Sequence, residues 1–339
     1  MKYFDFLKKG DTVGIVAPSC GINKEPYLTR FDSAVKKFNE FGINIKYDKR
    51  ILNNEKFRSN SAEVRAKEFM DMWLDDSVDA IISVAGGEFM MEILPYIDFE
   101  KLKNSKPKMF HGFSDNTNLT FTLTTLCDMA SVYGANFCSF GLREYHDYQT
   151  ENIKFLFGEN NKLIGVPEYE LREETEEEDY LAPYNLKGRK DWTILSGEKN
   201  VEVKGRLIGG CLDILVMLCG TKYDKVKEFN EKYKEDGIVW FLESCDLDVR
   251  SMTRAMWQLR EAGWFEHAKG IVIGKPAITE EIAGITYMDA FYEQVKDLGI
   301  PVIIDLNFGH VKPNFHMVSG AIGTITCDGK SGTVEYEFK

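Results

Sequence analysis

Residues 108–116 read KMFHGFSDN, an apolar run that ends in Gly112 and leads into Phe113, Ser114 and Asp115. The pattern predicts a buried strand that turns sharply into a helix, with Ser114 at the turn. At such an elbow the serine oxygen projects from the tip of a sheet, and N–H groups at the helix start point to the same place. The usual elbow has a second glycine where this chain has Asn116, so a simple helix N-cap is the alternative interpretation of Ser114.

Around this elbow, apolar strands alternate with amphipathic helices, which is typical of a mostly parallel α/β sheet. The alternation predicts a doubly wound N-terminal domain over residues 1–166, and such sheets bind ligands beyond the carboxyl ends of their strands. Gly86, Gly87 and Ser114 all follow predicted strands there. The other predicted elements of this domain are strands at 11–17, 43–47, 79–84 and 130–133 and helices at 26–41, 61–74 and 116–127.

Periodicity disappears over residues 167–192, which we interpret as a linker or excursion containing the acidic run 173–179, most simply a solvated face. Residues 193–339 then predict a C-terminal α/β domain with mixed strands. Its expected elements are a glycine turn and apolar helix within 205–223, a buried strand at 237–242, a helix through Met252 and Leu259, strands at 270–273 and 301–305, and a hairpin of 322–326 with 333–338.

Composition excludes several classes of protein. The chain has 339 residues, of which 44% are hydrophobic, enough for two cores, and a net charge of -12 that does not suit nucleic acid binding. It contains neither a membrane-length apolar stretch nor a secretion-type beginning, so we expect a cytoplasmic protein with no membrane partner. Seven scattered cysteines without C-x-x-C spacing suggest reduced thiols.

Two further polar side chains follow predicted strands. Glu243 comes directly after the apolar run 239–242, and His310 lies five residues after a strand that ends at 305. A carboxylate at the end of a buried strand needs a partner, such as a histidine N–H or a cation. Ser114, His310 and Glu243 could therefore serve as nucleophile, base and orienting acid. A salt-bridged structural Glu243 and a turn-bound His310 are the alternatives.

Metal and cofactor sites have weak support in the sequence. His310 and His316 are six residues apart among flexible glycine and proline segments, which is not a zinc signature. The segment 329–331 resembles the end of a phosphate loop but lacks the required earlier glycine, and residues 205–210 do not form a dinucleotide fingerprint. We expect no cofactor and no metal.

Taken in order, several segments of the chain resemble the serine LD-carboxypeptidase family, which includes the microcin C self-immunity peptidases. They are residues 10–19, Gly86-Gly87, 94–98, 112–115, 205–210 with 220–221, Glu243 and 308–310. The resemblance covers nearly the whole chain. It implies a Ser114, Glu243 and His310 triad, an oxyanion hole of the Asp115 amide and a glycine amide, favouring Gly87 over Gly86, and a homodimer of two-domain subunits.

The resemblance leaves two substrate classes open: a murein tetrapeptide cut at its L,D-bond, or a microcin C-like aminoacyl nucleotide. Gly86-Gly87 is followed by Glu88-Phe89-Met90-Met91, where both groups of enzymes would have small polar residues. Residues 133–136 read YGAN, where the recycling enzymes would have histidine-glycine-proline. The segment around Trp192 looks closer to the immunity branch, with Trp192 or Tyr184 as a base-stacking candidate and Gly86 and Glu88 as further substrate contacts. The alternatives are a packed aromatic at a domain junction and, for the whole protein, a non-catalytic small-ligand binder.

Overall fold

The computed structural model describes residues 1–171 and 179–339, so the acidic run lies outside the described residues except for Asp179. Sixteen strands are described: β1 Thr12–Val16, β2 Asn44–Tyr47, β3 Ala80–Ser83, β4 Met109–Gly112, β5 Ser131–Tyr133, β6 Lys162–Ile164, β7 Glu168–Tyr169, β8 Gly188–Arg189, β9 Thr193–Ile194, β10 Val201–Cys211, β11 Ile238–Glu243, β12 Ala268–Gly274, β13 Val302–Leu306, β14 Met317–Ser319, β15 Ile322–Cys327 and β16 Gly332–Glu337.

Helices alternate with these strands, as the sequence predicts. The α-helices of the described chain are α1 Tyr27–Glu40, α2 Ala62–Leu74, α3 Phe99–Lys103, α4 Thr117–Cys127, α5 Asp147–Leu156, α6 Leu212–Leu218, α7 Val226–Tyr233, α8 Val249–Glu261 and α9 Tyr287–Tyr292. None of the helices in the described ranges is long and apolar enough to cross a membrane.

Two sheets carry the fold. The first has the order β14-β5-β4-β3-β1-β2, and its neighbours from β5 to β2 pair in parallel. The second has the order β6-β16-β15-β10-β11-β12-β13-β9, with β10 to β13 parallel and the flanking strands antiparallel. The predictions of a doubly wound, mostly parallel N-terminal sheet and a mixed C-terminal sheet are confirmed.

The chain exchanges strands between the sheets near the expected domain limits. Strand β6, which precedes residue 167, pairs with β16 in the second sheet, while β14 returns from the C-terminal region to pair with β5 in the first. The carboxyl ends of the two sets of parallel strands also meet. At this junction the backbone N–H of Cys211, the last residue of β10, donates to Thr117 Oγ1, at the start of α4, at 3.0 Å. A site at these ends can therefore combine side chains from both sheets.

One predicted element is wrong. Residues 205–210 do not form a glycine turn but run through β10, which pairs in parallel with β11 and antiparallel with β15. The glycines allow close packing within the sheet: a Cβ on Gly210 would lie 2.6 Å from Thr117, where α4 begins. Gly210 also has a φ of +143°, in the region that favours glycine. Glycine clusters suggest turns from sequence alone, but here tertiary contact requires them.

A buried histidine pair belongs to the first sheet and to the segment that leads into its strand β14. His111 in β4 and His316 before β14 are both fully buried, and their ring centroids are 4.5 Å apart. Their four ring nitrogens have no hydrogen-bond partner within the described part of the chain. Burial lowers the pKa of His111 to about 3, and burial with the neighbouring His111 lowers the pKa of His316 well below its usual value.

This pair should make the protein acid-labile. Both histidines stay neutral in the folded protein but bind protons near pH 6.5 in the unfolded chain. The pair therefore has no effect on the free energy of unfolding above that pH and lowers it as the pH falls below. Each should reduce the free energy of unfolding by about 1.4 kcal/mol per pH unit. We expect His316→Leu to remove one such contribution from the slope in denaturant unfolding between about pH 6 and 4. The control is His267→Asn at an exposed position; equal slopes in all three proteins would contradict the prediction.

Candidate active site

The predicted elbow is present. Strand β4 ends at Gly112, and Ser114 opens a short 3-10 helix, Ser114–Asn116, that leads into α4. Ser114 has a φ of +66°, a left-handed conformation that is uncommon for a residue with a side chain. Asn116 occupies the place of the second glycine and folds back on Gly112, where a Cβ would lie 2.8 Å from Asn116 Cγ. Strain of this kind is typical of functional turns.

The structure brings Ser114, His310 and Glu243 together. Ser114 Oγ lies 2.9 Å from His310 Nε2, and His310 Nδ1 lies 2.7 Å from Glu243 Oε2. Glu243 ends β11, and His310 lies in the loop after β13, so both come from the second sheet. The serine hydroxyl can donate to Nε2 while Nδ1–H donates to the carboxylate. This is the hydrogen-bond order of a nucleophile, a general base and an orienting acid.

Glu243 is ionised in a fully buried position. Burial raises its pKa, but the charge and hydrogen bond of His310 and hydrogen bonds from Tyr133 and Cys211 outweigh burial and hold the pKa below its usual range. The Tyr133 hydroxyl donates to Glu243 Oε1, on the opposite side of the carboxylate from His310. A buried carboxylate with this set of donors has the partners that the sequence requires of it.

Cys211, Glu243 and His310 also place three possible metal-ligand atoms within 4.8 Å of one another. Burial and the charge of Glu243 raise the pKa of the Cys211 thiol well above its usual value, so the sulfur is held as a neutral donor. Glu243 Oε2 and His310 Nδ1 are already hydrogen-bonded to each other. This donor set therefore fits a hydrogen-bonded triad better than a metal site. His316, the other histidine of the metal alternative, packs in the core against His111.

Gly86 and Gly87 lie against the nucleophile. A Cβ on Gly86 would be 3.2 Å from Ser114 Oγ, and Gly87 has a φ of +150°, with Ser19 where its Cβ would be. The Gly86 carbonyl accepts from Cys20 N–H at 3.1 Å, so in a trans peptide the Gly87 N–H points the opposite way. That N–H donates to no group among residues 1–171 and 179–339.

The carboxylate of Asp115 is buried beside the nucleophile and fixes this region. It accepts from Met90 N–H at 2.8 Å, from Asn118 Nδ2 at 3.0 Å and from the Ser19 hydroxyl. Burial raises the pKa of Asp115 despite these hydrogen bonds. Because Met90 follows the paired glycines closely in the chain, Asp115 ties the glycine segment to the helix that begins at Ser114.

An open cleft of about 600 Å³ surrounds Ser114 and His310, and Gly86, Gly87 and Glu88 contribute to its lining. Glu88 is an exposed residue whose carboxyl is partly desolvated by the surrounding protein. This desolvation and, to a smaller extent, the charges of nearby aspartates raise its pKa. Another part of the wall contains two tyrosines and two cations: Tyr27, Arg30, Tyr184 and Lys312. A cleft of this volume can hold a drug-sized ligand.

Trp192 does not line this cleft. It is 1% exposed, its indole N–H donates to Asn307 Oδ1 at 2.9 Å, and its ring packs against Gly332. This position agrees with the alternative of a packed aromatic near the domain junction. Tyr184, the other aromatic considered from the sequence, lies in the cleft wall with the Lys312 ammonium 5.6 Å from its ring centroid.

The sequence interpretation assigned no site role to Tyr133 or Asn136. The Tyr133 hydroxyl contacts both Glu243 and the Ser114 amide, and Asn136 Oδ1 accepts from Phe113 N–H at 3.2 Å and from Asn116 Nδ2 at 3.1 Å. Both residues come at or just after the carboxyl end of β5, beside β4. The rule that ligand sites form at such ends could have identified them.

Comparison with known proteins agrees with this architecture. Residues 13–134 match the LD-carboxypeptidase N-terminal domain, and residues 204–325 match the LD-carboxypeptidase C-terminal domain. The chain belongs to the LD-carboxypeptidase family. The resemblance inferred from the sequence motifs is thus confirmed. The first matched range covers the parallel strands of the first sheet, and the second covers the parallel strands of the second sheet.

Relatives of the LD-carboxypeptidase family match over almost their whole length. The putative carboxypeptidase YocD of Bacillus subtilis is 27% identical over 98% of this chain and 97% of its own. The microcin C7 self-immunity protein MccF of Escherichia coli is 25% identical over 98% and 95%, respectively. The structure of MccF in complex with glutamyl sulfamoyl guanosine superposes with a TM-score of 0.81 at 21% identity, covering 99% of this chain and 98% of that one.

Proposed function

We propose that this LD-carboxypeptidase family member is a serine hydrolase that cleaves a small peptide or peptide-like amide through an acyl-enzyme. The observation that carries the proposal is the continuous hydrogen-bond chain from Ser114 Oγ through His310 to the buried, ionised Glu243. A non-catalytic binding protein has no use for such a chain. Membership in a peptidase family supports the same reaction class.

In this mechanism Ser114 Oγ attacks the scissile carbonyl carbon while His310 Nε2 takes the hydroxyl proton. Glu243 holds the imidazole in the required tautomer and stabilises its charged form. The tetrahedral intermediate collapses as His310 gives the proton to the leaving nitrogen. Water then attacks the acyl-enzyme while His310 takes a proton from that water. His310 gives the proton to Ser114 Oγ as the acyl product leaves and the serine is released.

The oxyanion would be held by two backbone amides, of Asp115 and Gly87. The orientation of the Gly86–Gly87 peptide supports Gly87 over Gly86, because the N–H opposite the Gly86 carbonyl has no described partner. Gly86 serves by its small size, since a larger residue would press on Ser114. Preorganised amides of this kind commonly contribute the largest share of stabilisation in acyl transfer.

Two substrate classes follow from the family: a murein tetrapeptide cut at its L,D-bond and a microcin C-like aminoacyl nucleotide. The second has a specific observation in its favour. The cleft wall with Tyr27 and Tyr184 beside Arg30 and Lys312 combines faces for stacking a base with cations for an anionic linker. The related MccF has been solved with glutamyl sulfamoyl guanosine. Gly86 and Glu88 remain proposed substrate contacts.

The decisive experiment incubates the protein with each substrate and follows products by mass spectrometry, using Ser114→Ala as the blank. Release of terminal D-alanine by wild type alone would assign the murein substrate, and release of an amino acid from the nucleotide analogue would assign the other. A fluorophosphonate probe, which phosphonylates activated serines, tests the chemistry without a substrate. A folded wild-type protein that the probe does not label would reject the serine-hydrolase mechanism and favour the binding-protein alternative.

A further inference from the structure

Tyr133 occupies a central position between the two halves of the site. It ends β5 in the first sheet, and its hydroxyl donates to Glu243 Oε1, which belongs to the second sheet. The same oxygen accepts the backbone N–H of Ser114 at 3.1 Å. One hydroxyl therefore contacts the acid of the triad and the backbone of the nucleophile at once.

The ring of Tyr133 is held as firmly as its hydroxyl. Tyr133 is fully buried, and its ring centroid is 6.2 Å from that of Phe113 and 5.8 Å from that of Phe241. Phe113 precedes the nucleophile and Phe241 is two residues before Glu243. Burial and the charge of Glu243 raise the pKa of the phenol well above its usual value, so the hydroxyl keeps the proton that it donates.

We propose that Tyr133 is a positioning residue that fixes the Glu243 carboxylate for His310 and holds the left-handed backbone of Ser114. His310 uses Oε2 of the carboxylate, so a donor on Oε1 sets the rotation of the group and leaves Oε2 facing Nδ1. The bond to the Ser114 amide stabilises the strained turn from which Oγ projects. This inference rests on the proposed serine-hydrolase function.

Two consequences follow for the Tyr133→Phe protein. The buried Glu243 oxygen and the Ser114 amide each lose a partner, so phosphonylation of Ser114 should slow by about tenfold to a hundredfold, the effect of one hydrogen bond to a charged group. Without the hydrogen bond from Tyr133, the Glu243 carboxylate would also keep more of its negative charge and would stabilise the His310 imidazolium more strongly. The acidic limb of the pH–rate profile of labelling should therefore move to higher pH.

The groups that surround this carboxylate support attributing such a shift to Tyr133. His310, Tyr133 and Cys211 face Glu243 from the loop after β13, from β5 and from β10. Cys211 is a neutral thiol, Asp213 lies within hydrogen-bond distance of it, and Glu88 lines the same cleft as His310. The substitution at position 133 leaves Cys211, Asp213 and Glu88 unchanged.

The test measures the second-order rate of fluorophosphonate labelling as a function of pH, since no substrate needs to be known. Tyr336→Phe is the matched control, because it removes another buried tyrosine hydroxyl, bonded to the His316 carbonyl away from the triad. A second protein carries 3-fluorotyrosine at position 133 alone, which makes the phenol a stronger donor with only a small change in the size of the ring. We expect the acidic limb of this protein to move to lower pH, in the direction opposite to that of Tyr133→Phe. If Tyr133→Phe does not fold, the fluorotyrosine protein alone tests the inference.

The outcomes separate the inference from the function it rests on. Slower labelling with opposite shifts of the limb in the two variants, and wild-type behaviour in Tyr336→Phe, supports the positioning role. Labelling of wild type together with unchanged rates and limbs in both position-133 proteins overturns it while leaving the hydrolase intact. A wild-type protein that is not labelled at all overturns both.

Discussion

Ser114→Ala should abolish labelling by a fluorophosphonate and reduce turnover of the identified substrate by about 10⁴–10⁶-fold, as loss of the nucleophile does in other triads. The physical reason is that Ser114 Oγ lies 2.9 Å from His310 Nε2, and no other group of residues 1–171 and 179–339 is recorded as a hydrogen-bond partner of that nitrogen. The fold should persist, because the side chain is removed at the mouth of an open cleft rather than in the core.

Ser114→Gly provides a matched variant for this experiment. Glycine adopts the φ of +66° without the strain that serine or alanine has there, so Ser114→Gly should be at least as stable as Ser114→Ala. Both should be equally inactive. Because neither variant has the hydroxyl, activity in the glycine variant would show that the alanine variant is inactive through loss of structure and that Ser114 is not the nucleophile. Parent-rate hydrolysis by either variant would likewise reject the mechanism. Ser77→Ala, at an exposed serine, should react as wild type does.

Glu243→Gln should give the second largest effect, a loss of about 10⁴-fold in kcat, the size seen when the buried acid of another triad is changed to its amide. Glu243 accepts from His310 and from Tyr133 on its two oxygens, and an amide can accept on only one side. An amide N–H directed at Nδ1 would force the proton onto Nε2. His310 could then no longer accept the proton of Ser114.

The pattern of kinetic change distinguishes this role from a structural one. Glu243→Gln should lower kcat and the labelling rate while changing KM little and leaving Ser114 in place. Glu261→Gln, at the exposed end of α8, is the charge-matched control and should keep the parent rate. A neutral result for Glu243→Gln would assign the glutamate to structure and leave His310 without its orienting acid.

Much of the architecture could be predicted from local patterns. The apolar runs that became β1, β3, β4 and β11 and the amphipathic helices α1 and α2 lie close to their predicted limits, because each has the period of its own element and a glycine or polar stop. The helix predicted through Met252 and Leu259 is present as α8. The terminal hairpin of β15 and β16 is equally local. The prediction of a turn at residues 205–210 was wrong because glycine can indicate either a turn or close packing within a sheet.

The site divides in the same way. The sequence placed Ser114, Glu243 and His310 each near the end of a strand, and the family resemblance supplied their grouping. The structure then placed Tyr184 in the cleft and Trp192 in the core, although both are aromatic residues of neighbouring sequence. Which of two aromatics faces a ligand depends on packing partners such as Asn307 and Gly332, which are more than a hundred residues away in the chain.

By itself, the sequence determined the alternation of elements, the elbow at Ser114 and the polar residues at strand ends, because these depend on periodicity and on residues that are neighbours in the chain. Only the tertiary structure decided which ends meet. The carboxylate of Glu243 reaches Tyr133, and His310 reaches Ser114, because two sheets meet at the carboxyl ends of their parallel strands. Contacts between residues so far apart in sequence follow from how whole sheets pack, and no local pattern encodes that packing.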